Sequence, residues 1–311
     1  MELSLVGGAQ GCFSRGQWMS FYVKYWGTRG SIPTPGKAPR HYGGNTSCVE
    51  IRAGHTLFIC DGGTGLRELG QDLLQSTVGP IVGHMLFSHS HWDHIQGFPF
   101  FTPAYIGGNT FYVYSPESGD RRMYDLLSGQ MRSEYFPVNF ADLDAKVVAA
   151  DLPPQETGIE GVKISVLLQT HPGGSYAFSF ESDTTKVVYA TDTEFDLCLL
   201  NREESLQDLN AIRQLPPEYV EFARGADLLI ADSQYYDSEY AERIGWGHPR
   251  ANTTVDWAVQ AGVKHLALFH HDPMHSDADV DRKIEICQER AQAQSASLVS
   301  SGAQEGDGFR V

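Results

Sequence analysis

Short apolar runs, many alternating with polar positions, recur along the chain. They predict strands near residues 21–26, 48–53, 56–60, 84–88, 110–114, 162–168, 175–181, 186–190, 227–231 and 264–269. Helical stripes fall between them, one carried by Leu66, Leu69 and Leu73 and another by Val255, Ala258 and Val259. Residues 276–293 read as a final helix, and the Ser/Ala/Gly-rich stretch 296–311 as a flexible tail. Residues 1–18 have weak periodicity and precede a second possible start at Met19, so they read as an appendage to one domain over 19–295. Strands interrupted by helices, without strict alternation, favour a layered α/β sandwich over a barrel.

Composition supports a sizeable core: 41% of residues are hydrophobic and 20% charged, which argues against wholesale disorder. Acidic residues outnumber basic ones 39 to 23, for a formal charge of −16. That balance disfavours a broad electrostatic grip on nucleic acid, which normally needs a basic face. It says less about a small anion, because bound divalent cations invert the local field. The cysteines (Cys12, Cys48, Cys60, Cys198 and Cys287) are odd in number and lack a CxxC pair. They read as buried or incidental thiols in a reducing compartment, with cytoplasm the default. No apolar run is long enough to cross a bilayer, and no secretory signal stands out.

Polar, chemistry-bearing residues cluster where apolar strands end. HSHWDH at 89–94 places three histidines and an aspartate in six residues after a strand. His89 and His91, two residues apart, can face one ion, while Asp93 and His94 turn toward another. His171 in LLQTHPGG, Asp192 in VVYATDTE and His270 in LALFHHDP also close strands. Singly each has an ordinary reading, as a loop histidine, a helix-capping aspartate or a strand-end histidine. Together they complete a nitrogen-and-oxygen set with one carboxylate able to bridge two ions. Such a set suits two divalent cations, with zinc first and manganese or iron also compatible.

In this order the motifs resemble the metallo-β-lactamase superfamily. They are most similar to its branch containing ribonuclease Z, phosphoribosyl cyclic phosphodiesterase and cyclic-nucleotide-degrading enzymes. The resemblance runs from about Tyr25 to about Asp281 and includes GTRGSIPTPG at 27–36, YGGNTSC at 42–48, DGGTGLREL at 61–69 and GWGH at 245–248. It implies a four-layered αββα sandwich with metals at one edge. It further implies that His89, His91 and His171 hold one ion, that Asp93, His94 and His270 hold the other, and that Asp192 is shared. His271 competes with His270 on spacing alone. His84 and His265, inside strands, read as packed or surface residues, and His41, His55 and His275 carry no clear signal.

Two metals supply an activated water and neutralise phosphate oxygens, leaving a proton to be found for the departing alkoxide. On bare sequence His248 and Asp232 read as helix-capping residues. The resemblance instead makes His248 a proton donor supported by Asp232, although relatives usually continue Gly-His-Ser-Thr where this chain has Gly247, His248, Pro249 and Arg250. Asp93, His248 and Asp232 therefore form the expected catalytic group, Asp93 doubling as a ligand. Asp61 reads as a turn residue, and by resemblance as one that orients ligand histidines. The loop around Gly27, Gly30, Ser31 and Asn45 is expected to border the site. The expected function is hydrolysis of a small cyclic phosphodiester, foremost a 3′,5′-cyclic nucleotide to its 5′-monophosphate. A tRNA 3′-end endonuclease and a metal-holding regulatory module are the competing readings. Segment 116–158, with Arg132 in an aromatic stretch, is the expected seat of specificity or of packing. The expected partners are a small anionic phosphodiester and a second copy in a homodimer, without nucleic acid or membrane.

Overall fold

The computed structural model describes residues 20–36, 41–116, 123–152 and 156–311. The appendage expected at 1–18 and Cys12 lie outside the described residues, as does part of the 116–158 segment. Its strands are β1 (Phe21–Gly27), β2 (Cys48–Ala53), β3 (Thr56–Cys60), β4 (Val82–Leu86), β5 (Thr110–Pro116), β6 (Lys146–Leu152), β7 (Thr157–Ile159), β8 (Val162–Gln169), β9 (Ser175–Glu181), β10 (Lys186–Ala190), β11 (Leu228–Asp232), β12 (His265–Phe269), β13 (Val299–Gly302) and β14 (Gly308–Arg310). Its helices are α1 (Gly65–Ser76), α2 (Trp92–Ile95), α3 (Met123–Gln130), α4 (Arg202–Gln207), α5 (Pro217–Ala223), α6 (Asp237–Tyr240), α7 (Ala251–Ala261) and α8 (Asp277–Ala293).

The strands form two seven-stranded mixed sheets, ordered β14-β1-β2-β3-β4-β5-β6 and β13-β12-β11-β10-β9-β8-β7. Alternation decides which residues enter the space between them. In β1, Phe21, Val23 and Tyr25 point inward, and they join Phe58 of the same sheet and Phe178, Phe180, Tyr189 and Phe269 of the other. On the outer face of the first sheet, α1 buries Leu66, Leu69 and Leu73, each contributing about 1.5–3 kcal/mol of transfer free energy. On the outer face of the second, α7 buries Val255, Trp257 and Ala258. The result is an αββα sandwich. Glycine 262, at φ 66°, ends α7 in the left-handed conformation. Ser276 and Asp279 start α8 with a reciprocal capping pair. None of the described helices is both long and apolar enough to cross a membrane.

Two expectations need correction. Residues 296–311 do not form a free tail: β13 pairs with β12 and β14 with β1, each extending one sheet by backbone hydrogen bonds. The strand expected at 84–88 ends at Leu86, because the Ser88 N–H donates to Asp61 Oδ1 (2.7 Å) instead of to a neighbouring strand. His84 and His265 are packed within strands as expected, His84 bonded to the Tyr114 hydroxyl (2.9 Å) and His265 to Ser301 (2.8 Å). Cys48, Cys60 and Cys287 are buried free thiols, and Cys198 is half-buried.

Candidate metal centre

The strands that run parallel near the middle of each sheet end at one edge of the sandwich, and the chemistry collects there. After β4 the chain passes through Ser88, His89 and His91 into α2, which carries Asp93 and His94. His89, His91 and His171 form one group, with ring centroids 4.4–5.0 Å apart. His171 Nε2 lies 3.1 Å from His91 Nδ1. Asp192 Oδ2 is 3.6 Å from His89 Nε2 and 3.9 Å from His171 Nε2. The other oxygen, Oδ1, is 3.2 Å from both His94 Nε2 and His270 Nε2, and Asp93 Oδ2 is 3.2 Å from the same two nitrogens. One carboxylate thus joins two donor groups, each compact enough to hold a metal ion.

Backbone geometry aims these side chains. Asp61 and His270 directly follow β3 and β12, Asp192 follows β10 after Thr191, and the three adopt φ of 61°, 58° and 47° respectively. A left-handed residue at a strand end turns the chain sharply, a conformation costing of order 1–3 kcal/mol that the surrounding structure must hold. Asp61, fully buried, accepts from the Ser88 backbone and hydroxyl, from Tyr189 Oη (2.7 Å) and from His94 Nδ1 (2.8 Å). That leaves His94 Nε2 for the centre, as expected of a carboxylate that orients a ligand. Gln234, which sequence reasoning missed, orients His270 through its Oε1 (2.9 Å to Nδ1). His271 turns away, its Nε2 donating to the Ala303 carbonyl (2.9 Å). Of the expected bordering loop, the Ser31 N–H donates to Asp93 Oδ2 (2.7 Å) and Gly30 packs against the His270 ring. Gly27 packs instead on the Thr46 carbonyl, and the Asn45 amide turns to Glu305.

Next to the two groups, His248 donates from Nδ1 to Asp232 Oδ2 (2.8 Å) and stacks on His270 at 4.8 Å between centroids. At the entrance to α7 the chain continues from His248 through Pro249 and Arg250. Arg250, buried at the helix N-cap, binds Asp196 through Nε (2.8 Å), and Thr253 reaches the same carboxylate. A second missed residue is Glu194, two residues beyond Asp192. Its buried carboxylate accepts from Tyr240 Oη (2.7 Å) and from the Gly245 and Gly247 N–H groups (2.8 Å each). Gly247 in turn accepts from His171 Nδ1 (2.9 Å) and has φ 91°, and a Cβ there would come within 2.4 Å of that nitrogen. Glu194 therefore pins the loop that sets both His171 and His248. Glu194→Ala is expected to lower stability by about 3 kcal/mol, since it leaves buried donors without an acceptor. It should also reduce turnover, and Glu194→Gln, which keeps one accepting oxygen, should cost less. Urea midpoints with parallel activity assays check this; an unchanged midpoint and full activity in the alanine variant would remove Glu194 from the framework.

The buried carboxylates depend on positive charge around them. Burial alone would push the Asp192 carboxyl up, but the rings of His270, His94 and His89 hold it well below the usual carboxylate range. Asp93 is likewise held low by His94 and His270 against its burial. Burial, with His94 beside it, drives His89 well below the ordinary histidine range, toward the neutral imidazole that a metal requires. Buried carboxylate charge among imidazole nitrogens is thus stable only with compensating positive charge, whether protons or metal.

Residues 56–271 match the family model described as the beta-lactamase superfamily domain. The chain belongs to that family. It is accordingly a metal-dependent hydrolase. Its relatives include the ribonuclease Z of Sulfurisphaera tokodaii, 24% identical across 79% of this chain and 88% of that protein. Among solved structures, the metallo-β-lactamase-fold protein YhfI of Bacillus subtilis superposes with a TM-score of 0.64 at 19% identity, over 94% of this chain and all of YhfI. The short form of human tRNase Z superposes at 0.61 with 17% identity, over 93% of this chain and 98% of that one. These superpositions bear out the αββα fold expected from the motifs.

Proposed function

We propose that the chain is a dinuclear phosphodiesterase acting on a small cyclic phosphodiester, foremost a 3′,5′-cyclic nucleotide that it opens to the 5′-monophosphate. The observation that carries this reading is the pair of donor groups sharing Asp192, with the Asp232–His248 pair beside them. The donors fit two divalent cations. His89 Nε2 and His94 Nε2 are buried without a hydrogen-bond partner, and every donor is a nitrogen or a carboxylate oxygen. His89, His91 and His171 would hold one cation and Asp93, His94 and His270 the other, with Asp192 common to both; zinc suits this set best, and manganese next. When bound, the cations activate water and neutralise the non-bridging phosphate oxygens.

The protein's own groups supply the rest. As water oxygen bonds to phosphorus and the bond to the sugar O3′ breaks, His248 gives its Nε2 proton to O3′ and later regains one from solvent. Asp232, accepting from Nδ1, fixes the plane of the imidazole and the nitrogen it presents. Ser31, donating to Asp93 Oδ2, holds the carboxylate that faces His94 and His270.

The formal charge of −16 supports a small substrate, because a tRNA must be held across many phosphates, by contacts that weaken steeply with salt. Precursor tRNA is the second reading, favoured by relatives named ribonuclease Z that align over most of the chain. Side-by-side turnover at physiological salt, with zinc and with manganese, separates them. The expected result is efficient opening of a 3′,5′-cyclic nucleotide and little cleavage of precursor tRNA. Specific tRNA cleavage with no cyclic-nucleotide turnover would reverse the order.

A further inference from the structure

On the His248 side of the centre the surface opens into a cavity of about 360 Å³, a size typical of small-ligand pockets. Its walls include His248, Tyr235, Arg243, Trp246, Asp272 and Met274. Trp246 is 60% exposed and Met274 85%, so two large apolar side chains stand uncovered beside a buried polar centre. The Arg243 guanidinium lies over Tyr235 (4.9 Å to the ring centroid) and near Trp246 (5.8 Å). Its Nη1 is buried yet has no hydrogen-bond partner, the Glu239 carboxylate standing 4.0 Å away. Asp272 uses Oδ1 to accept the Met274 N–H (2.8 Å).

Charge decides what such a cavity takes. Glu239 offsets Arg243, and Asp272 adds a carboxylate, so a second phosphate would meet net repulsion. A neutral planar heterocycle meets the opposite case, finding a donor at Arg243, an acceptor at Asp272 and an apolar face at Trp246. Position matters as well, because His248 belongs both to this wall and to the pair beside the metal-ligand groups. We propose that the cavity holds the base of the nucleoside whose oxygen departs, with Trp246 covering the ring, Arg243 donating to a ring acceptor and Asp272 accepting from a ring donor. The leaving-side assignment rests on the phosphodiesterase reading above, whereas binding of the base does not.

The test has two arms on the purified, metal-loaded chain. Steady-state kinetics on the four 3′,5′-cyclic mononucleotides are set against methyl 4-nitrophenyl phosphate, a diester with no base. Titration calorimetry measures binding of the four nucleoside 5′-monophosphates. Trp246→Ala and Arg243→Met are each expected to lower the ratio of kcat/KM, best nucleotide over nitrophenyl diester, by about tenfold or more, chiefly through KM, the scale of losing one base-stacking contact. Trp246→Phe should restore most of the loss, and the alanine variant should bind monophosphates about tenfold more weakly. An unmoved ratio with unchanged binding overturns the proposal. Turnover of the nitrophenyl diester with none of the four nucleotides also overturns it while leaving the phosphodiesterase reading standing. If no diester is turned over, that reading falls and calorimetry judges the cavity: binding weakened by Trp246→Ala upholds it, and no binding by any monophosphate, or equal affinity in the variant, overturns it.

Discussion

Asp192→Ala should lower the metal content from about two ions per chain to below one and weaken metal binding at least about a hundredfold, with activity falling in parallel. Loss of a group that merely supports a ligand already costs about 10–100-fold, and Asp192 is positioned to serve both donor groups directly. Its Oδ1 is equidistant, at 3.2 Å, from His94 and His270, and its Oδ2 faces His89 and His171. No other carboxylate among the described residues spans the two sets, so neither can be repaired by a neighbour. Asp192→Asn keeps the volume and one carbonyl oxygen but removes the charge, and should retain more metal than alanine while losing most activity. Elemental analysis after dialysis, with circular dichroism to confirm the fold, reads both variants. Two ions retained in the alanine variant would show that Asp192 does not bridge.

Much of the fold was legible because its central strands are buried on one or both faces and carry the apolar pattern that betrays them. The four strands that sequence reasoning missed, β6, β7, β13 and β14, are the four edge strands of the two sheets. An edge strand is held largely by backbone bonds on one side, which leave no mark in the sequence, and its side chains can stay half-exposed, as in Lys146–Leu152. Ser300 and Gly302 of β13 look like tail composition for the same reason. The flexible-tail reading failed on β13 and β14 because composition cannot register pairing.

The site divides in a similar way. Its histidines and aspartates were legible because metal chemistry restricts residue type and because each follows an apolar strand. The groups that hold them were not. Glu194 and Gln234 have ordinary composition and reach partners 36–53 residues away, so only the folded chain brings Glu194 to the Gly247 N–H and Gln234 to His270. The one available signal for Glu194 was a second acidic residue immediately beyond a strand-end aspartate, in TDTE. The choice between His270 and His271 also needed three dimensions. His270 turns the chain in a left-handed conformation, and only the bond from His271 to the Ala303 carbonyl, far along the chain, shows that His271 lies away from the centre.

His248→Ala should leave both metals and the fold in place while reducing turnover of a cyclic nucleotide roughly a hundredfold or more, the usual scale for a general acid. The expectation follows from what His248 does and does not touch. It bonds to Asp232, stacks on His270 and lies 5.5 Å from the His171 ring, but His270 is oriented independently by Gln234 and His171 by the Gly247 carbonyl. Removing the imidazole should therefore empty the proton-donor position without dismantling the donor groups. The leaving group provides the discriminating measurement. A sugar alkoxide departs poorly without a proton, whereas nitrophenolate is stable as an anion, so the loss should shrink markedly on methyl 4-nitrophenyl phosphate. Asp232→Asn keeps a carbonyl oxygen to accept from Nδ1 but removes the carboxylate charge, and should show a smaller loss with the same dependence on leaving group. Equal losses on activated and unactivated diesters would make His248 a residue that positions substrate, because positioning does not depend on the basicity of the group that leaves.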